Sequence, residues 1–234
     1  VTVVLTGGSS VQGNMANESG GGVYADGNAR IIVADGSLVS NNTAAAFGGG
    51  LGAWGNASVV LTGGTSVQGN TCKSGGGGVL VAINAEVSIT NSSVHSNTAG
   101  DGGGFFAWDA SKLSITKSIV HGNVAQSYGG GLSAGPASIV VADGSVFSNN
   151  TAGDCGGGVD GFGDVVVSLI GGSSVEGNRA NMSGGGVCAR GKAKVTITSS
   201  NVQGNTAAKG GDGVFTQDTA EVDTSGSSVQ SNTA

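Results

Sequence analysis

The chain is short of charge and almost free of proline. Charged residues make up 10% of 234 positions, and a single proline accompanies 48 glycines. Collagen, which needs glycine at every third place and abundant proline, is excluded, and glycine plus proline stays below the ~25–30% that marks low-complexity disorder. With 38% hydrophobic residues, the composition is not that of an unfolded segment, which is rich in charge and poor in apolar side chains. The chain should fold. Basic residues number 9 against 15 acidic ones, with a net charge of −6 and no basic run, so nucleic acid is not an expected partner. Long apolar runs are missing as well. Val1-Thr2-Val3-Val4-Leu5 and Ile31-Ile32-Val33-Ala34 fall far short of the roughly 20 residues of a membrane-spanning helix, and no membrane insertion is expected of this segment. It opens at Val1 with neither an initiator methionine nor a signal-peptide pattern, and reads as a piece of a longer chain. No catalytic motif announces itself.

What the sequence has in abundance is repetition. A phrase of the form apolar-x-x-Asn-x-small, a few polar residues, then Gly-Gly-Gly-apolar recurs from end to end. Val11-Gln12-Gly13-Asn14 with Gly20-Gly21-Gly22-Val23 is one instance, and Val175-Glu176-Gly177-Asn178 with Gly184-Gly185-Gly186-Val187 is another. The anchoring asparagines are Asn14, Asn42, Asn70, Asn97, Asn123, Asn150, Asn178, Asn205 and Asn232, spaced 26 to 28 residues apart. Each period holds short β-type runs with alternating β-branched residues, such as Glu86-Val87-Ser88-Ile89-Thr90 and Lys194-Val195-Thr196-Ile197-Thr198. Such alternation, bounded by Gly, Ser, Asn and Asp, signals strands with one buried face. No window has helical periodicity. Three strands and three turns per period predict one coil of a single-stranded parallel β-helix. The spacing thus predicts an all-β solenoid of about nine coils, a single repeat domain over 1–234, with coils ~4.8 Å apart.

Stacked coils place equal phases in columns. Five residues before each anchor lies a hydroxyl, from Ser9 to Ser227; three before lies Val, or Phe147; two after lies Ala, or Cys72, through to Ala234. A narrow interior that accepts one volume at each phase accounts for the uniformity. The asparagines are expected to bond their neighbours above and below as a structural ladder. The glycine triplets are expected to supply positive φ or close backbone approach at a tight corner. With no strand-to-helix unit after them, they do not form phosphate-binding loops.

Phe147-Ser148-Asn149-Asn150 is a Phe-x-x-Asn tetrapeptide, with Val in place of Phe in the other eight coils; Gly49-Gly50-Leu51 and Gly130-Gly131-Leu132, each preceded by glycine, follow a Gly-Gly-Ala-(Ile/Leu/Val) pattern with Gly for Ala. Over the entire chain these repeats resemble those of the polymorphic outer membrane protein family. The resemblance implies a right-handed parallel β-helix and an extracellular passenger that mediates adhesion. Similar repeats also occur in large extracellular proteins of eukaryotic algae and other protists.

Asn-x-Ser/Thr sequons stand at Asn17, Asn41, Asn56, Asn91, Asn149 and Asn181. Asn41 and Asn149 precede an anchor by one residue, while Asn17 and Asn181 follow one by three. Glycans at such turn phases would coat a rod without disturbing its core. Of three cysteines, Cys72 replaces Ala in an inward column and should behave as a small hydrophobe. Cys155 and Cys188 fall five residues out of phase on adjacent coils, so a disulfide between them is not expected.

Four groups could carry chemistry. Asp154, Asp160 and Asp164 share one coil with Arg190 one coil on, the residue types of a polysaccharide lyase or hydrolase, or of a weak calcium site. Acidic turn residues held in solvent are the simpler account. His95 and His121 share a phase on adjacent coils, which would suit a metal ion if more than two ligands were at hand. Trp54, Trp108 and Phe162 fall at equivalent phases on alternate coils, hence ~10 Å apart, and would stack on a glycan if they point outward. A row of Thr43, Thr71, Thr98, Thr151, Thr206 and Thr233, interrupted by Met15, Val124 and Arg179, invites comparison with ice-binding surfaces.

The sequence therefore points to a non-enzymatic structural or adhesive module of an extracellular, N-glycosylated surface or filament protein. Its expected partners are cell-surface proteins, glycans or copies of itself, with no cofactor and no metal. Ice binding or glycan binding is the alternative, and a polysaccharide lyase or hydrolase stands behind both.

Overall fold

The computed structural model describes residues 1–233; Ala234, the last of the expected alanine column, lies outside the described residues. The chain winds into an all-β parallel solenoid with four faces. Face A has nine strands, from Thr2–Leu5 to Glu221–Asp223, and face B nine, from Ser10–Gln12 to Ser228–Gln230. Face C has eight two-residue strands, from Met15–Ala16 to Thr206–Ala207, and face D eight, from Val23–Ala25 to Val214–Thr216. Every strand pairs in parallel with its counterparts on the adjoining coils, as in the register Val87↔Leu113↔Val140. The expected three strands per coil are thus four. The extra one directly follows the anchor asparagine, and at two residues it is too short to show alternation.

The phases fall in columns. Val39, Val67, Val94, Val120, Phe147, Val175 and Val202 are all buried, as are Ala44, Cys72, Ala99, Ala125, Ala152, Ala180 and Ala207. Burial lifts the Cys72 thiol to about 11, which makes it a poor nucleophile. Phe147 is the one large ring in its column. Ala142 stands between Ile115 and Leu169 in register, a small residue in the coil that holds the large ring.

The anchor asparagines form a continuous ladder, buried from Asn42 to Asn205. Asn97 shows the pattern: its backbone N–H and Nδ2 both donate to Asn123 Oδ1 at 3.0 Å, while Nδ2 also donates to the Val67 carbonyl at 3.0 Å. The hydroxyl column is internal. The Ser118 N–H donates to Ser145 Oγ at 3.1 Å, and Ser118 Oγ donates to the Thr116 carbonyl at 2.8 Å. Each glycine triplet uses both devices expected of it. Gly76 has φ +73°, and a Cβ on Gly77 would sit 2.5 Å from the Gly103 carbonyl oxygen and 2.6 Å from that of Thr98.

One expectation is overturned. Cys155 and Cys188 form a disulfide. The positive φ of Gly156 folds the corner back on itself, so a Cβ there would lie 2.8 Å from that of Asp160. Cys155 therefore flanks Asp160, whose register partner one coil on is Cys188. Phase counting assumes an extended path and misses a contact made across a hairpin corner.

Candidate functional site

The outer side of face D and the corner that leads into it carry three columns. The corner column is the residue before each glycine triplet: Phe47, Gly75, Asp101, Tyr128, Cys155 and Ser183, largely joined by single bridges. The next runs Gly52, Leu80, Phe106, Ser133, Asp160 and Cys188 in register, and the third runs Trp54, Ala82, Trp108, Gly135, Phe162 and Arg190. Leu80, Ser133 and Asp160 are buried although their side chains leave the sheet on its outer side. The corner column and its neighbours cover them.

Aromatic rings line up along this strip. Phe47 and Phe106 have centroids 6.2 Å apart, Phe106 and Trp108 5.5 Å, and Trp108 and Phe162 6.4 Å, with interplanar angles of 17°, 15° and 20°. Trp108 and Phe162 come closer than their two-coil separation implies because the indole leans over Gly135, where a Cβ would collide with ring carbons. Both point outward, at 38% and 41% exposure. Trp54 is half-buried in the same column and does not join the stack. The expected trio is thus a pair, extended by Phe106 and Phe47.

Arg190 closes the strip. Its Nε donates to Asp160 Oδ1 at 3.1 Å and its Nη2 to Oδ2 at 3.0 Å, while Ser133 Oγ donates to Oδ2 at 3.3 Å. The guanidinium lies 3.8 Å from the Tyr128 ring centroid and 5.3 Å from that of Phe162. Asp160 is wholly buried, and this pushes its carboxyl up to about 6 against the opposing pull of Arg190 and Ser133. Asp101 Oδ1 accepts the Tyr128 N–H at 3.2 Å. Burial raises its pKa, and the charge of Asp154 adds to the rise. Together Asp101, Phe106, Trp108, Tyr128, Asp160, Phe162 and Arg190 line a cavity of about 190 Å³. A larger groove of about 430 Å³ crosses face A between Glu86, Lys112 and Ile139, but its Lys112–Glu86 pair is about 60% exposed and no buried charge lines it.

Residues 51–163 match a family model described as right handed beta helix region. That span carries the corner from Leu51 through Phe162, and the winding of the solenoid agrees with it. No curated protein and no solved structure matches the chain.

The other sequence candidates separate. Of the acidic trio, only Asp160 reaches Arg190. Asp164 Oδ1 accepts the Ala137 N–H at 2.8 Å in an exposed turn, and Asp154 lies half-buried beyond the disulfide. His95 and His121 stack with centroids 4.6 Å apart and planes 10° apart. Lone pairs in parallel ring planes do not converge on one ion, and among the described residues no group of three metal-ligating side chains gathers. The threonine row lies in register on face C. All six sequon asparagines, Asn17, Asn41, Asn56, Asn91, Asn149 and Asn181, are exposed. Sequence reasoning missed Asp101, Tyr128 and Phe106. The residue before each triplet varies from coil to coil while the glycines after it are fixed, and that contrast was the available signal.

Proposed function

We propose that the chain is a non-enzymatic, glycan-binding β-helical module of an extracellular, N-glycosylated surface protein, a stiff rod that presents its face D to sugar chains. The observation that carries the reading is the outward band of near-parallel rings, Phe106, Trp108 and Phe162, running beside the Asp160–Arg190 pair. Flat aromatic surfaces stack on the apolar faces of sugar rings, and a few fixed polar groups beside them orient hydroxyls. Support for a binding role over a catalytic one comes from Asp160. Both its oxygens are engaged by Arg190, and it is wholly buried, whereas general acid–base work needs a carboxyl within reach of the scissile bond. The exposed sequons and the disulfide support an oxidising exterior location.

The test is retention on immobilised glycans, compared with a Trp108→Ala variant, alongside an assay for new reducing ends. Retention by the parent, its loss in the variant and no release of reducing ends are expected. Turnover of a glycan would overturn the binding-only reading, and equal retention by both proteins would remove the aromatic band from it. Peptide-N-glycosidase treatment of the native protein, read by mass, tests the glycans themselves.

A further inference from the structure

The charges lining the face D cavity do not cancel. Two carboxyls and one guanidinium border it: Asp101, Asp160 and Arg190. Arg190 pairs with Asp160 through two hydrogen bonds, from Nε and Nη2. Among the described residues the ion pairs are Arg190–Asp160 and Lys112–Glu86, so Asp101 has no cation of its own. Its Oδ1 holds the Tyr128 N–H, and its Oδ2 makes no hydrogen bond among the described residues. A half-buried carboxylate with an oxygen outside any hydrogen bond is thus held beside aromatic rings, with the charges of Arg190 and Asp154 both acting on it from beyond salt-bridge distance.

Resting on the glycan-binding reading above, we infer that this cavity takes the free amino group of an amino sugar, with Asp101 as counter-ion and the ring of Phe106 as a wall, while Arg190 covers one face of Tyr128. An ammonium is attracted both to a carboxylate and to ring faces. A uronate or a sulfated sugar would meet Asp101 with like charge, in a cavity where two carboxyls face the single guanidinium of Arg190. A neutral sugar would leave Asp101 uncompensated. At about 190 Å³, the cavity is smaller than the ~300–1,000 Å³ of sites that enclose a whole drug-sized ligand. It accepts one substituent or ring, while Trp108 and Phe162 continue outside as a surface for neighbouring sugars. That continuation favours a glycan over a lysine side chain, which would leave both rings uncovered.

The experiment is calorimetric titration of the full chain with three oligosaccharide series: glucosamine, N-acetylglucosamine and galacturonic acid. The glucosamine series is expected to bind at least ~10-fold more tightly than the acetylated one, a difference of ~1.4 kcal/mol, and the galacturonic series not at all. Asp101→Asn keeps an oxygen for the Tyr128 N–H and is expected to erase the preference while leaving the acetylated series unchanged. Equal binding of the two hexosamine series would overturn the inference and leave the glycan reading intact. A preference that survives Asp101→Asn would assign it to the net charge of −6 and overturn the inference too. Oligolysine binding as tightly as glucosamine would overturn the sugar as ligand. No binding by any series, in parent or Trp108→Ala, would overturn the glycan reading itself.

Discussion

Cys155 and Cys188 are bonded across adjacent coils at a separation of 33 residues, five more than the 28 between Asn150 and Asn178. The bond clasps the corner of the candidate site, since Cys188 is the ladder partner of Asp160 and Arg190 follows two residues later. Cross-linking a loop of this length restricts the unfolded chain by about 3–4 kcal/mol. Replacing both cysteines with alanine is expected to destabilise these coils by roughly that amount and to loosen Arg190. Amide hydrogen exchange is the measurement. It should quicken in Val159–Gly163 and Val187–Gly191 ahead of the distal coils, and unchanged exchange there would deny the bond this role.

A second prediction concerns the asparagine ladder. Asn97→Ala removes the oxygen that accepts both the Asn70 N–H and its Nδ2, and the amide that donates to the Val67 carbonyl. Each buried group left unpaired costs about 1–3 kcal/mol, so a loss on the order of 3–5 kcal/mol is expected. Asn232→Ala, in a half-buried position with one ladder neighbour, should cost clearly less. Denaturant midpoints for the two variants decide the matter, and equal losses would mean that the ladder does not act through burial.

A third prediction separates the aromatic band from the core. Gly135 lacks positive φ, and the atoms nearest to a Cβ there are ring carbons of Trp108. Gly135→Ala should therefore displace the indole without straining the backbone. Glycan affinity is expected to fall about tenfold, the worth of one aromatic stacking contact. Stability should stay within about 1 kcal/mol. Tryptophan fluorescence reports the displacement, and unchanged affinity with a displaced ring would dissociate the band from binding.

The solenoid was legible because every coil repeats the same burial problem. Val at three before the anchor, Ala at two after and Asn between them read the interior directly, and Asn70, Asn97 and Asn123 do align in one column. The candidate site was legible only in part, because it is built where the repeat departs from itself. Trp108, Phe162, Asp160 and Arg190 stood out as unusual residues at known phases. Asp101 and Tyr128 belong to a corner that phase counting treats as extended, and Gly102 and Gly129, both at positive φ, turn it back as Gly156 does after Cys155. The same hairpin hid the disulfide. Ring contacts were misjudged for a related reason, since the lean of Trp108 over Gly135 depends on a side chain that is absent from the adjoining coil.

A fourth prediction follows from the stacked imidazoles. Burial, and then the charge of His121, hold the His95 pKa below its usual 6.5. The unfolded chain binds that proton more readily, so this stabilisation is complete above the unfolded value and is lost as pH falls through it. Asp160 works in the opposite sense. Its raised pKa of about 6 makes its contribution fade as pH rises. The informative quantity is the difference between the parent and a His95→Gln, His121→Gln variant, which restores the residue found at Gln68 and Gln203 in that column. As pH is lowered from about 7.5 to about 5.5, across the histidine range, the thermal midpoint of the parent should drop relative to the variant. Parallel curves would show that the stack does not titrate.

The last prediction tests whether one cross-section conserves volume. Phe147 occupies a column otherwise filled by Val, while Ala142 in the same coil stands where its neighbours are Ile115 and Leu169. All four are wholly or almost wholly buried. Phe147→Val alone opens a cavity and is expected to cost about 2 kcal/mol. Ala142→Leu alone overfills the coil and is expected to cost about 1–3 kcal/mol. Made together they exchange one large side chain for another within a single layer, and the double variant should be more stable than the sum of the single losses by about 1–3 kcal/mol. The coupling can be read from a double-mutant cycle in denaturant. Strict additivity would mean that the two positions fill separate spaces, and the ring of Phe147 would then need some other source of room.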